Sequence, residues 1–563
     1  MNRNKQAQLR ALLIFSGALA LTACGDSDND AAPQNNGDTN VSSDAPATTD
    51  PANDDNAALP LGPKACGELL AQVVSSVDTE ITEAVRIDAS ESAPWTSPNG
   101  GGGSADVTVP FCRVAGSIKP TRNSDIRFEL WLPVDATWNG NFAGTASGGS
   151  NGYISYRTVN QHLAMGYASV GHDNGHRREQ TDFALVEERK IDFAYRAQHA
   201  ATLVGKELTN AYYGTAPQYA YYNGCSQSGH HGIMEMQRYP DDYDGIVAGA
   251  PANDWTGTLA AEANAALAQW SNPGAGVSRE MLAMVNDRVL QACDGQEGID
   301  HLKDGVLDDP RKCGFDPASM QCGSAGVDDE ACLSEPQVGA LRAALDGRRR
   351  STGEPIAMPY PVEAFGGAFF PTDKTSPETP QGSWANHWTY AVFENPNYDF
   401  SNFNWDTDVD YARGKEGAIY DAINGNYSVF ADRGGKLIMY HGWADSLIPA
   451  TLAIQGWDRM NAQMGSEKVD SFARLFMVPG MDHCGGGSGA SSFELLSSLA
   501  NWVENGVAPD GTNDENTPVG SRAAREDIGR TAQTRPLCPY PAIARYKGSG
   551  DVDDAANFSC SAP

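Results

Sequence analysis

Positive charge is scarce in this chain. Its 563 residues hold 40 lysines and arginines against 72 aspartates and glutamates, a formal net charge of -32. Nucleic acid, whose phosphates are bound by cationic side chains, is therefore excluded as a partner class. The acidity keeps the chain soluble and suits salty surroundings. Long apolar runs are absent beyond the first two dozen residues, so no second segment is long enough to span a bilayer. No internal repeat occurs, which excludes a repeat architecture. No CxxC pair accompanies the cysteines, which argues against a zinc site built from them.

What is present begins with an export signal. Arg3, Lys5 and Arg10 precede the apolar run from Ala11 to Leu21, and small residues then lead to Cys24. The run is too short to cross a membrane. The ending Leu21-Thr22-Ala23-Cys24 resembles a bacterial lipobox, which makes Cys24 the lipidated first residue of the mature chain, with an ordinary signal peptide as the alternative. Gly25 at the next position points to the outer membrane. Residues 25–60 are too poor in apolar side chains to offset chain entropy and read as a disordered acidic linker. The expected location is outside the cytoplasm, as an outer-membrane lipoprotein or a periplasmic or extracellular protein, with the membrane reached only through Cys24.

Export makes disulfides the expected state of the eleven cysteines, and setting Cys24 aside leaves an even ten. Sequence alone leaves the connectivity open. Proximity favours Cys293 with Cys313, Cys322 with Cys332, and Cys538 with Cys560. Of the remaining four, Cys225 directly precedes Ser226 and Cys484 directly follows His483. That adjacency selects Cys225 with Cys484, since bridged Cα atoms lie only ~5.5 Å apart. Cys66 with Cys112 follows.

The segment around Ser226 has the layout of a nucleophile elbow. Tyr219-Ala220-Tyr221-Tyr222 reads as a strand, Gly224-Cys225-Ser226-Gln227-Ser228-Gly229 as a tight turn of small residues, and His230 to Tyr239 as a helix ended by Pro240. Such a turn exposes the serine hydroxyl above a parallel sheet and aims the following N–H, that of Gln227, at a developing oxyanion. Alone, the pattern reads better as a surface turn. Partners appear downstream. The buried-strand run Lys436 to Tyr440 is followed by His441-Gly442-Trp443-Ala444-Asp445, and the run Arg474 to Val478 by Pro479-Gly480-Met481-Asp482-His483. Serine, acid, histidine is the chain order of an α/β-hydrolase triad, with Ser226 as nucleophile, His483 as base and Asp445 orienting the imidazole. His441 and Asp482 are neighbours set aside from these roles, and His230 and His231 read as helix-face or pocket residues.

These motifs, together with WNGNF (138–142), DGIVAGAPANDW (244–255) and TRPLCPYPAIARYKGSGD (534–551), resemble the tannase and feruloyl esterase family, whose relatives include mono(2-hydroxyethyl) terephthalate hydrolases. The similarity runs from about Cys66 to Cys560, and the five bridges match the family's pattern. The resemblance implies a second oxyanion N–H in the glycine-rich segment Ala143 to Gly152, at Gly148 with Gly149 as the alternative. It also implies a structural Ca2+ held by Asp294, Glu297, the carbonyl of Ile299, Asp304 and the carbonyl of Val306. Carboxylates interleaved with glycines suit a hard cation, and the Cys293 to Cys313 bridge would clamp the loop. Two departures bear on it: Glu297 stands where the family has Asp, and Asp300-His301-Leu302 look inserted, which brings Asp300 into reach.

The expected architecture is α/β: an α/β-hydrolase catalytic domain from 61–255 and 434–563, interrupted by a lid at 256–433 that carries the calcium site. Lid aromatics such as Trp384, Trp388, Tyr390, Phe393 and Trp405 are candidates for stacking on a flat acyl group, although each alone is more often core. The expected activity is hydrolysis of aromatic carboxylic esters, feruloyl esters first, gallate and terephthalate monoesters next. Two readings compete with it: a non-catalytic surface-binding lipoprotein, and a glycosidase using paired carboxylates.

Overall fold

Uninterrupted apolar runs such as Leu437-Ile438-Met439 and Tyr221-Tyr222 mark strands buried on both faces. The computed structural model describes residues 64–89, 107 and 109–563, apart from 135, 179, 271, 325–330, 373–381, 512–515 and 525–530. Cys24 and the 25–60 linker lie outside the described residues.

A nine-stranded sheet forms the centre, built from β1 (Thr79–Ile87), β2 (Phe111–Ile118), β3 (Ile126–Pro133), β4 (Phe142–Thr145), β5 (Ala168–His172), β6 (Ala220–Cys225), β7 (Gly245–Gly249), β8 (Lys436–Gly442) and β9 (Ala473–Val478). The spatial order is β1-β2-β3-β5-β4-β6-β7-β8-β9. The first three strands and the β3–β5 pair are antiparallel, and every pairing from β5 to β9 is parallel. Successive side chains serve opposite faces. Tyr222, Ile246, Leu437 and Met439 join a core under the helices α1 (Ala197–Tyr213) and α2 (Gln227–Arg238), whereas Tyr221, Val247, Ile438 and Phe476 pack on the far side with Leu496, Leu499 and Trp502.

Between β7 and β8 the chain leaves the sheet and builds the insertion expected as a lid, and called so below, from the helix α3 (Trp255–Trp270) through Asp408–Tyr420. The insertion has an apolar core of its own around Leu282, Val285 and Phe365, shares a second with Phe183, Phe193, Ile448 and Leu452 of the catalytic part, and holds two bridges, Cys293–Cys313 and Cys322–Cys332. The aromatics expected to meet a flat substrate pack on one another instead. Trp388 is fully buried edge-on to Phe403, Trp384 sits between Trp270 and Phe400, Phe393 stacks on Tyr398, and Trp405 meets Phe403. A parallel sheet presents the loops after β4, β6, β8 and β9 at one edge, and the candidate site is made of these loops.

Candidate active site

Ser226 lies between β6 and α2 with φ 65° and ψ -127°, a conformation rarely adopted by a residue with a side chain. The turn holds because its amide donates to the Gly249 carbonyl (2.9 Å) and its carbonyl accepts from the His230 amide (2.9 Å). Small residues are required on both sides. A Cβ at Gly224 would lie 2.1 Å from Ser228 Oγ, and one at Gly229 would lie 2.3 Å from the Gly249 carbonyl oxygen. The helix that follows begins at Gln227, so the Gln227 N–H stands at the elbow while its side chain turns inward to Phe193 O (3.3 Å).

The loop after β4 comes against the serine. A Cβ placed on Gly148 would be 3.9 Å from Ser226 Oγ, whereas one on Gly149 would meet Asn151 and Ser383. Several hydrogen bonds fix the loop. Asn151 Nδ2 donates to the Gly148 carbonyl (2.6 Å), Asn174 Nδ2 to Ser147 Oγ (3.0 Å), and the Ala146 amide to Ser228 Oγ (3.1 Å). Ser228 also meets the Tyr222 hydroxyl at 2.8 Å. The roles of Asn151 and Asn174 are not legible in sequence, because isolated asparagines carry no pattern. Ser228 does carry a sequence signal, since it stands where the nucleophile-elbow pattern G-x-S-x-G, begun at Gly224, has its last glycine.

Asp445 follows β8, fully buried, and His483 follows β9. Asp445 Oδ2 accepts from His483 Nδ1 (2.9 Å), and Oδ1 accepts from the amides of Leu447 and Ile448 (both 2.9 Å). His441, set aside from the triad roles, is also here: its Nε2 lies 3.1 Å from Asp445 Oδ2 and 3.0 Å from the Ile448 carbonyl. Burial pushes the Asp445 pKa up, but the charge of His483 and the hydrogen bonds from His441 and His483 outweigh it, and the carboxyl is held well below the usual carboxylate range. For His483 burial works downward, and the charge and hydrogen bond of Asp445 raise the imidazole above its ordinary value.

Asp482 has a different task. Its Oδ1 accepts from the amide and hydroxyl of Ser446 (3.1 and 2.8 Å) and its Oδ2 from the Ala368 amide (2.7 Å), which seams the lid to the loops around Asp445. Beside that seam Phe369 is 52% exposed, with its ring edge-on to His483 at 5.7 Å. His230 and His231 are buried on α2 and bond to the carbonyls of Tyr420 and Phe193 (both 2.7 Å). Cys225 and Cys484 are joined, Cα to Cα 5.9 Å, which ties the elbow to the histidine loop. Among the described residues no hydrogen bond joins Ser226 Oγ to the His483 ring, and such contacts often tighten only with substrate bound. The other bridges are Cys66–Cys112 and Cys538–Cys560.

The acidic lid loop is folded in on itself. Asp294 accepts from the amides of Asp304 and Gly305 (both 3.1 Å), Asp300 from the amide of Gly295 (2.9 Å), and Asp304 from Arg535 (2.7 Å). Asp308 pairs with His301. The side chains of Asp300, His301 and Asp308 bring their polar atoms within 4.8 Å of one another, while Glu297 is exposed.

The sheet, with an elbow after β6 and an acid–histidine pair after β8 and β9, has the architecture of an α/β-hydrolase. The chain belongs to the tannase and feruloyl esterase family, whose model matches residues 112–561. It is 34% identical to an uncharacterized esterase of Xanthomonas campestris pv. campestris, over 88% of this chain and 91% of that one. It is 32% identical to the mono(2-hydroxyethyl) terephthalate hydrolase of Piscinibacter sakaiensis, over 84% and 88% of the two chains. The crystal structure of feruloyl esterase B from Aspergillus oryzae superposes with a TM-score of 0.77 at 27% identity, covering 88% of this chain and 99% of that one. The protein is a carboxylic ester hydrolase.

Proposed function

We propose that the protein hydrolyses esters of aromatic carboxylic acids by acyl transfer through Ser226. The observation that carries this reading is the strained elbow serine covalently tied, through Cys225–Cys484, to the loop of a histidine bonded to a buried carboxylate. Ser226 Oγ attacks the acyl carbon, and His483, whose Nδ1 is engaged by Asp445, takes the proton on Nε2 and passes it to the departing alcohol. The N–H groups of Gln227 and Gly148 receive the oxyanion, each such donor being worth ~10²- to 10³-fold in rate. Water then releases the acid by the same steps in reverse.

The names of the relatives support aromatic acyl groups, with hydroxycinnamate esters leading and gallate and terephthalate monoesters next. Phe369, exposed beside His483, offers a ring for such a group. A non-catalytic binding role is not favoured, since the acid–histidine pair is complete. Five disulfides support an oxidising location, with lipidation at Cys24 as the proposed anchor. Calcium is proposed in the lid loop. The donors there are hard oxygens, and next to them Glu363 is 2% exposed with Oε2 lacking a partner while Oε1 accepts from the Leu307 amide (2.9 Å). Bound there, Ca2+ would offset the charge of Asp294, Asp300, Asp304 and Glu363 and fix the loop.

A panel of methyl ferulate, methyl gallate, a terephthalate monoester and p-nitrophenyl acetate tests the function. Turnover is expected on the aromatic esters, and Ser226→Ala should lower it by ~10⁴- to 10⁶-fold in a folded protein. A variant keeping a tenth of the activity would put the nucleophile elsewhere.

A further inference from the structure

A second group of metal-ligating side chains lies at the opposite end of α2 from Ser226. His199 comes from α1, Glu235 from the last turn of α2, and Asp242 from the turn that leads into β7. The ligating atoms of the three lie within 4.8 Å of one another. His199 Nδ1 is 2.5 Å from Asp242 Oδ2. Glu235 is only 1% exposed, and its carboxylate oxygens face the Asp242 carboxylate with no N–H or O–H donor from another residue on either of them. A buried carboxylate left this way is costly unless a cation or a proton answers it. The nearest ammonium, on Lys206, donates to the Asp242 backbone carbonyl, and Arg433 pairs with Asp241 at 3.0 Å. Neither forms an ion pair with Glu235.

We propose that His199, Glu235 and Asp242 bind a divalent transition-metal ion, zinc foremost. One imidazole nitrogen and two carboxylates, with a fourth position left to water, is a donor set of zinc type. Calcium, which takes six to eight oxygens, is poorly served by it. The His199 ring is already oriented, because it stacks on Tyr239 with centroids 3.6 Å apart and planes 6° from parallel. Its side chain is 25% exposed, which gives the ion a way in from solvent. A tetrahedral ion with bonds of ~2.1 Å sets its ligands ~3.4 Å apart, so the Nδ1···Oδ2 contact opens by about 1 Å as the ion replaces the hydrogen bond. The ion would clasp α1, α2 and the turn before β7. That fastens the far end of the helix whose first residue follows Ser226, and the role is structural.

The test uses the full chain without an affinity tag, stripped with phenanthroline, which removes transition metals and spares calcium. Titration with Co2+ is expected to give one equivalent bound, visible d–d absorption, a higher melting temperature, and loss of the absorption when Zn2+ is added. Glu235→Gln and His199→Gln should each weaken Co2+ binding by at least about tenfold, while Asp294→Asn, in the lid loop, should leave the absorption intact. The kcat/KM of metal-free Glu235→Gln should stay within about twofold of stripped wild type, since the site touches no reacting atom. If wild type and Glu235→Gln take up Co2+ alike, the ligands are elsewhere. If wild type takes up none, Glu235 is instead a protonated carboxyl shared with Asp242, and the proposal is overturned.

Discussion

Asp445 receives four donors, and they decide how its histidine titrates. His483 must be neutral to accept the serine proton, and its pKa is raised above 6.5, burial being outweighed by the charge and bond of Asp445. Activity is therefore expected to fall with decreasing pH on a limb centred above 6.5, read from kcat/KM against pH. The sign for stability is opposite. The contribution of the pair through His483 is full below pH 6.5 and lost as pH rises through the raised value, while that through Asp445 is present above pH 3.8 and lost as pH falls through its lowered value. His441→Ala removes one donor to Asp445 without touching the reacting atoms, so a loss smaller than that of His483→Ala is expected, with the acid limb displaced. An unmoved limb would make His441 a packing residue only. The triad candidates were legible in sequence because each sits in a short string that fixes its local geometry. The bond of His441 was not, because four residues of spacing across a strand end does not say which way an imidazole turns.

At the scale of elements, strands and elbow were legible because parallel strands buried on both faces leave continuous apolar runs. The lid was legible only as an interruption. Its aromatics carry no periodicity, and sequence could not tell rings that stack on each other from rings that face a ligand. The seam at Asp482 has a consequence of its own. Replacing a buried acceptor of three hydrogen bonds by Asp482→Asn should cost about 1–3 kcal/mol of stability. Because the Ala368 amide leads to Phe369, KM should rise more than kcat falls. Equal changes in both would separate the seam from substrate binding. Chelation of calcium belongs to this scale too. It should lower the melting temperature, an ion at about 100 times its dissociation constant contributing ~2.7 kcal/mol, while activity well below that temperature changes little. A calcium-free protein with no thermal response to chelator would remove the ion from the lid loop.

Across the whole molecule, the Cys225–Cys484 link spans 259 positions. In the chain-entropy model so long a loop is stabilised by roughly 5 kcal/mol. The bridge also limits drift between the Ser226 and His483 backbones, where misplacement of ~1 Å can cost ~10²-fold in rate. The double change Cys225→Ala with Cys484→Ala should therefore lower turnover far more than substrate affinity at temperatures where circular dichroism shows a folded protein. Unchanged turnover would leave the bridge a purely thermodynamic role. The bond also makes a closed ring of the polypeptide from 225 to 484, and every lid residue is a member of that ring. A single backbone cut anywhere in the lid opens the ring without dividing the molecule. Ser226 and His483 then belong to different polypeptides and stay one covalent species, which runs as one band until a thiol is added and as two afterwards.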